Sequence, residues 1–282
     1  MKLGKKEWGK LYFCPTPLGN LQDITLRTLQ VFREVDFIAC EDTRVTLKIL
    51  NHYRIQKPLL SYHSYNLKQV SFRIVNLLKE GKNLALVSDA GMPGIQDPGM
   101  ELVSILEKEG LNFEVLPGPS ALITAVVYSG FAFSGFVFLG FLPRKKKERE
   151  KILEQFLYLP PALVIYESPH RIVSSLEEIK EMVGGERKIV FLRELTKVYE
   201  EIIRGKLGDV LNILSQREEI KGEVILVIEG GKKEEEEVPP GAKKLMESLF
   251  EQGLSPQQVW EIASSAFSVS KNKLKEVWGK KS

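Results

Sequence analysis

Six short loops hold most of the residues in this 282-residue chain that could do chemistry: PTPLGN (15–20), CEDTR (40–44), SDAGMPG (88–94), PGPSA (117–121), YESPHR (166–171) and RELTK (193–197). Each follows a short apolar run and carries carboxylates, hydroxyls or cations, and four of them, all but CEDTR and RELTK, add glycine or proline. Glycine opens backbone angles closed to other residues, and proline fixes one of its own. SDAGMPG therefore reads as an irregular loop of definite shape, set directly behind the strand-like LALV (84–87). In open α/β sheets, ligands collect in the crevice beyond the carboxyl ends of the strands. Loops of this kind converging on one cleft suit a small molecule with an apolar ring and a few polar handles.

Other chemistries lose ground by absence. No GxGxxG follows the first strand, and there is no GxxxxGK[ST], so the usual phosphate-cradling loops are missing. His52, His63 and His170 lack metal-ligand spacing, and no GxSxG elbow is present.

The elements that position these loops alternate. LYFC (11–14), FIAC (37–40), PLLSY (58–62), LALVS (84–88) and FEVL (113–116) read as strands, separated by amphipathic helical stretches. This βαβα pattern implies a largely parallel sheet covered by helices. The pattern continues through FVFLGFLP (136–143), ALVIYE (162–167), KIVFLREL (188–195), VYEEIIRG (198–205) and EVILVIEG (223–230), where closely spaced strands imply antiparallel pairing. The expected organisation is α/β throughout. Residues 1–117 form an N-terminal α/β domain with a mostly parallel sheet, and 118–230 a C-terminal α/β domain with a mixed sheet. A charged, proline-bearing linker spans 231–241, and 242–282 form a small helical tail. Ser255 and Pro256 mark a helix start, and Ser270 a further cap. The tail reads either as a helix-turn-helix-like RNA-binding module or as a packing appendage.

At 43% hydrophobic and 27% charged residues, the chain has ample material for a core. No stretch approaches the ~20 apolar residues that span a bilayer, and the N-terminus lacks secretory features. Two cysteines, Cys14 and Cys40, are too few for a disulfide framework; buried reduced thiols in a cytoplasm are expected. Residues 241–282 hold seven lysines against four glutamates, which accounts for the whole net charge of +3. Basic runs at 144–151 (RKKKEREK) and 271–281 (KNKLKEVWGKK) are either solvated helix faces or contacts for a polyanion.

Taken together, LYFCPTPLGNLQDITLRTL, IACEDTR, LVSDAGMPGIQDPG, LPGPSA, GFLP followed by lysines, YESPHR, LRELTKVYEE and GEVILVIEG resemble the tetrapyrrole methylase superfamily, and within it the branch that methylates ribosomal RNA. The resemblance runs from residue 11 to 230. It implies two α/β domains with a cofactor cleft between them, S-adenosylmethionine as the methyl donor, and a homodimer. It also implies methyl transfer to the 2′-hydroxyl of a cytidine in the decoding region of 16S rRNA, with the rRNA or the small ribosomal subunit as partner. A superfamily rival is a tetrapyrrole C-methyltransferase of the precorrin or uroporphyrinogen type; another is an RNA-binding protein without catalysis.

Carried over position by position, Pro17 and Leu18 close one side of the cofactor site, and Ser88, Asp89, Ala90 and Met92 form its shelf. Asp89 has two readings: a hydrogen-bond acceptor for the donor's hydroxyls or amino groups, or a loop brace. The amides of Ser120 and Ala121 open a helix and face a carboxylate. Tyr166 and Glu167 line the second side, with Leu195 and Val224 beside the adenine or, alternatively, in the core. A ribose hydroxyl needs a proton acceptor. The candidates are Glu41, Asp42, Glu167, Glu194 and Lys197; Lys197 is chosen as a buried neutral amine beside Arg193, with a surface pair to Glu194 as its rival, and Glu167 stands with it. Arg44, Lys145, Lys146, Lys147, Arg171 and Arg193 are the candidate RNA contacts, the arginines alternatively bracing loops through ion pairs. Two positions depart from the resemblance: Leu67, where an acid is usual, and Leu122, where a small residue is common.

Overall fold

The computed structural model describes residues 8–63, 65–131, 134–231, 238–267, 269 and 271–279. Strands β1 (Leu11–Phe13), β2 (Phe37–Cys40), β3 (Leu59–Ser61), β4 (Leu84–Val87) and β5 (Phe113–Val115) form the first sheet, in the order β3-β2-β4-β1-β5. Every pairing in it is parallel. Parallel strands need covered crossovers, and these are α1 (Leu26–Glu34), α2 (Thr43–His52), α3 (Leu67–Lys79) and α4 (Gly99–Glu109). Side-chain alternation sorts the core into two layers. Cys14, Ile38, Cys40, Ala85 and Val87 face α1 and α2, whereas Leu11, Phe13, Ala39, Leu84 and Leu86 face α3 and α4. The strands are therefore buried on both faces, which is why they read as continuous apolar runs rather than alternating ones. Thr25 caps α1 by accepting from the Thr28 N–H, and Gly110, left-handed at φ +65°, ends α4.

The second sheet takes β6 (Phe136–Phe141), β7 (Ala162–Glu167), β8 (Lys188–Arg193), β9 (Glu201–Lys206) and β10 (Val224–Ile228), in the order β6-β7-β10-β8-β9. Only β6 and β7 run parallel; the other three pairings are antiparallel. Helices α6 (Lys146–Phe156), α7 (Ile172–Val183) and α8 (Leu207–Ser215) cover one face. Helix α5 (Ala121–Ser129) packs Leu122, Ala125 and Val126 on the other, against Val164, Val190, Leu192 and Val227. The strand expected over 198–205 begins at Glu201 instead. Residues 194–200 are drawn into turns, with Lys197 N–H donating to Glu194 O and Glu200 N–H to Lys197 O, and Val198 and Tyr199 stand exposed.

The tail holds α9 (Pro240–Glu251), α10 (Pro256–Phe267) and α11 (Lys271–Gly279) around Ala242, Met246, Val259, Ala263 and Leu274. Helix α9 starts inside the expected linker, because Pro240 serves as a first-turn residue whose missing N–H costs nothing. The Ser255 amide donates to Gln258 Oε1 at 3.0 Å, half of a capping box at the start of α10. Linker positions 232–237, the Ser270 cap, and Lys280 and Lys281 of the second basic run lie outside the described residues.

Candidate active site

The carboxyl ends of the first sheet's strands open toward the second sheet, and the 88–97 loop there is tied down by several hydrogen bonds. Thr16 and Gly91 exchange backbone hydrogen bonds of 2.9 and 3.0 Å, Thr16 Oγ1 donates to Ser88 O, and Ser88 Oγ donates to Gly91 O. Asp97 accepts from the Gly94 and Gly99 amides and closes the loop on itself. Gly91 sits at φ +82°, and a Cβ there would lie 3.0 Å from Leu18 Cδ2. Both its conformation and its crowding call for glycine.

Between the sheets lies a cleft of about 540 Å³. From the first unit, Leu18, Ser88, Asp89, Ala90 and Met92 line it, joined by Ile95, Gln96 and Asp97. Ser120 and Ala121 contribute the start of α5, where the Ser120 hydroxyl caps by accepting from the Ile123 N–H. Tyr166, Glu167, Leu195 and Val224 line the far wall with Phe141, Ser168, Pro169, Gly222, Glu223 and Ile225. Eleven of the twelve positions expected around a cofactor thus share one cavity. Pro17 does not line it; it is buried in the loop behind Leu18. Gly222, Glu223 and Ile225 escaped the sequence reading because β10 is antiparallel to β7 and β8. Its start, not its end, meets Glu167 and Arg193 in register. Contacts also tie the two units directly. The Asn20 amide donates to Thr196 Oγ1, and the Phe141 amide donates to Gln96 Oε1.

Most charged candidates are already committed. Glu167 has a fully buried side chain. Its Oε1 accepts from Arg171 Nε (2.9 Å), Arg171 Nη2 (2.6 Å) and the Ser168 N–H, and its Oε2 accepts from Ser175 Oγ at 2.7 Å. With both oxygens hydrogen-bonded, the geometry favours a brace for the 166–171 loop over the expected role as a base. Lys197 Nζ donates to Glu194 Oε1 (2.8 Å) and Glu223 Oε2 (3.2 Å). Burial alone would lower its pKa, but the two carboxylates outweigh it and hold the ammonium above its usual value. The expected neutral amine is therefore a charged loop clamp. Glu194, at φ +52°, also accepts from the Glu223 N–H. Tyr166 is pushed up to about 12, mainly by burial, while its hydroxyl accepts from the Leu122 N–H.

Asp89 resolves toward bracing by one oxygen: Oδ1 accepts from the Asp42 N–H at 2.9 Å and ties the 88–97 loop to the end of β2. Asp42 is occupied by Arg44, whose fork holds its carboxyl at about 2. Among the expected RNA contacts, Arg44 remains 86% exposed despite that fork. Lys145, Lys146 and Lys147 are exposed at the start of α6, with Lys145 pairing Glu148 and Lys146 pairing Glu150. Arg171 and Arg193 are half-buried and engaged in loop-bracing bonds: Arg171 serves Glu167 and Leu142 O, and Arg193 serves Glu201 and Lys221 O. The first basic run is not one solvated face, since Arg149 turns inward onto Glu178 at 2.5 Å. No cluster of His, Cys, Asp and Glu suited to a metal occurs among the described residues.

Comparison with known proteins agrees with this architecture. A family model described as tetrapyrrole (corrin/porphyrin) methylases matches residues 10–211. Ribosomal RNA small subunit methyltransferase I of Halalkalibacterium halodurans is 42% identical over 269 residues, 95% of this chain and 89% of the relative. The protein of the same name from Escherichia coli O157:H7 is 41% identical over 267 residues, covering 94% and 93%. Among solved structures, diphthine synthase superposes with a TM-score of 0.62 at 15% identity, over 78% of this chain and 90% of that one. Uroporphyrin-III C-methyltransferase from Thermus thermophilus, complexed with S-adenosylhomocysteine, gives 0.58 at 17% identity, over 78% and 97%. With its two layered sheets, its strand-end cleft and this match over most of its length, the chain belongs to the tetrapyrrole (corrin/porphyrin) methylase family.

Proposed function

We propose that this chain is an S-adenosylmethionine-dependent methyltransferase of small-subunit ribosomal RNA, acting on the 2′-hydroxyl of a cytidine in the decoding region of 16S rRNA. The observation that carries the reading is the cleft at the strand ends, in a chain about 42% identical over nearly its whole length to relatives named for that RNA. The residues present fit the donor. Leu18, Leu195, Val224 and Ile225 offer apolar wall for an adenine ring. The start of α5 presents amides at the positive end of a helix, suited to a carboxylate. Asp89 keeps one carboxylate oxygen free of hydrogen bonds among the described residues, available to hydroxyl or amino groups. Gly91 lets the shelf close on Leu18 without a side chain between them.

When bound, S-adenosylmethionine supplies a methyl group carried on a sulfonium. The work left to the protein is positioning, which holds reacting atoms about 3–3.5 Å apart. The braces found above perform it. Glu167 fixes the 166–171 loop, Asp97 fixes the 88–97 loop, and the Lys197 clamp fixes 194–197 against Glu223. Arg44 and Lys145–Lys147 take RNA phosphates at the rim. We further assign a homodimer in the cytoplasm. Helix α5 carries apolar residues on its outer as well as its inner face, leaving Ile123 51% and Val127 76% exposed, and Tyr128 on it reaches Glu200 beside the exposed Val198 and Tyr199. That face suits a second copy of the chain.

The test is transfer of labelled methyl from S-adenosylmethionine to small subunits lacking the modification, followed by nuclease digestion and mass spectrometry. The expected product is one 2′-O-methylcytidine in the decoding region. Label on uroporphyrinogen III and none on subunits would replace this reading with tetrapyrrole methylation.

A further inference from the structure

We infer that Glu41 is the group that accepts the proton from the hydroxyl being methylated. The inference rests on the proposed function and adds the residue that the reaction needs beyond positioning. Five carboxylates line the cleft among its described residues: Glu41, Asp89, Asp97, Glu167 and Glu223. Four have work already. Asp97 closes its own loop through the Gly94 and Gly99 amides. Glu167 is engaged at both oxygens by Arg171, Ser168 and Ser175. Glu223 pairs with Lys197, and Asp89 accepts from the Asp42 amide with one oxygen while the other is assigned above to the donor. No hydrogen bond or ion pair reaches the Glu41 carboxylate among the described residues, and the residue is exposed.

Its place in the fold supports the role. Glu41 is the first residue past β2, at the carboxyl edge of the parallel sheet, beside the end of β3, where the Tyr62 N–H donates to Cys40 O at 2.7 Å. The neighbouring Asp42 amide is pinned by Asp89, so the backbone carrying Glu41 is held to the donor shelf while its side chain stays free. The groups that face it are Asp89 and Asp97 from the shelf, Asp42 from its own loop and His63 from the end of β3. Lost hydration along the cleft wall, then the charges of Asp89 and Asp97, raise its pKa, with His63 acting the other way. A raised carboxylate is a better proton acceptor for a weakly acidic hydroxyl.

In the transfer, the ribose oxygen forms a bond to the methyl carbon while the carbon–sulfur bond breaks. That electron pair stays on sulfur, leaving a neutral thioether, and the hydroxyl proton passes to a Glu41 oxygen. Charge balances: the positive sulfonium and the negative carboxylate are both neutralised.

The test compares wild type, Glu41→Gln and Glu41→Asp. Calorimetry with S-adenosylhomocysteine, and filter binding to small subunits, should give affinities within about twofold across the three proteins. Single-turnover methylation should fall about 100- to 10,000-fold in Glu41→Gln, the range of one general base, and recover in part in Glu41→Asp. The wild-type rate should rise with pH through a carboxyl ionisation that is absent from Glu41→Gln. An active wild type with Glu41→Gln within tenfold of it, or with its loss traced to donor affinity, overturns this inference alone. A wild type that binds S-adenosylhomocysteine but leaves subunits unmethylated overturns the proposed function beneath it.

Discussion

Truncating Glu167 separates bracing from chemistry. Its carboxylate is wholly buried and accepts four hydrogen bonds: two from Arg171, one from the Ser168 amide and one from Ser175. Removing one partner of a buried ion pair costs about 3–5 kcal/mol, because the other charge is left uncompensated. Arg171 keeps 27% of its side chain exposed and its bond to Leu142 O, so it recovers part of its hydration. That places Glu167→Ala near the lower limit, about 3 kcal/mol. For a chain of this size each kcal/mol moves the melting temperature by roughly 2–4 °C, giving a drop of about 6–12 °C. Scanning calorimetry reads it. The partner experiment is Glu167→Met with Arg171→Met, which removes both charges together and should regain much of the loss, since apolar replacement of a whole buried pair is often neutral. A Glu167→Ala protein melting within about 2 °C of wild type, yet unable to methylate, would refute the bracing role and return Glu167 to the chemistry.

Three further outcomes follow from the same geometry. Reversing Lys145, Lys146 and Lys147 to glutamate should weaken binding to small subunits and flatten its dependence on salt, with donor affinity by calorimetry unchanged, because their ion pairs are exposed and no lysine of the run lines the cleft. Asp89→Ala should weaken S-adenosylmethionine binding about tenfold or more while the protein stays folded, since it frees the Asp42 amide and removes a cleft carboxylate worth about 1.5–3 kcal/mol per charged hydrogen bond. Arg149 holds the Glu178 carboxyl below its usual range, so this pair's contribution is present above the unfolded value of about 4.3 and is lost as pH falls through the lowered folded value; melting temperature against pH should show a shallower acid limb in Arg149→Met than in wild type.

How much of this was legible depended on the range of the interaction concerned. The strands of the first sheet could be read because burial on both faces leaves uninterrupted apolar runs, and the SDAGMPG loop because glycine and proline write their backbone needs into the sequence. The cleft-lining Gly222, Glu223 and Ile225 around the expected Val224 could not. Their place depends on β10 running antiparallel between β7 and β8, which no local pattern encodes. Whether Glu167 and Lys197 act as bases or as braces stayed open for a different reason. Their partners stand four and three residues away, at Arg171 and Glu194, and the spacing was visible. What decides between a base and a brace is how completely the carboxylate's lone pairs are filled, and two of the acceptor bonds on Glu167 come from Ser168 and from Ser175, a turn into α7. Arg149 and Glu178, 29 positions apart, lie beyond any local reading.

The distribution of charge bears on how one cleft handles a cation and a polyanion in turn. Its described lining carries five carboxylates and no lysine or arginine. Glu167 and Glu223 are offset by Arg171 and Lys197 behind the wall, leaving Glu41, Asp89 and Asp97 without a paired cation among the described residues, while Arg44 and Lys145–Lys147 stay exposed, the lysines only four to six positions beyond the cleft-lining Phe141. A concave surface of one sign focuses its potential inward. On the proposed function that potential favours a sulfonium donor and opposes phosphate, so an RNA strand is admitted by a sugar edge with its phosphates left at the basic rim. Methyl transfer removes the donor's sulfonium charge, and the same carboxylates then hold the thioether product less strongly than the donor. Salt screens the exposed rim more than the partly buried interior. Substrate affinity and donor affinity should therefore separate as ionic strength rises, the first falling steeply and the second little. Parallel slopes would mean that donor and RNA share one set of charges, against the division between cleft and rim drawn here.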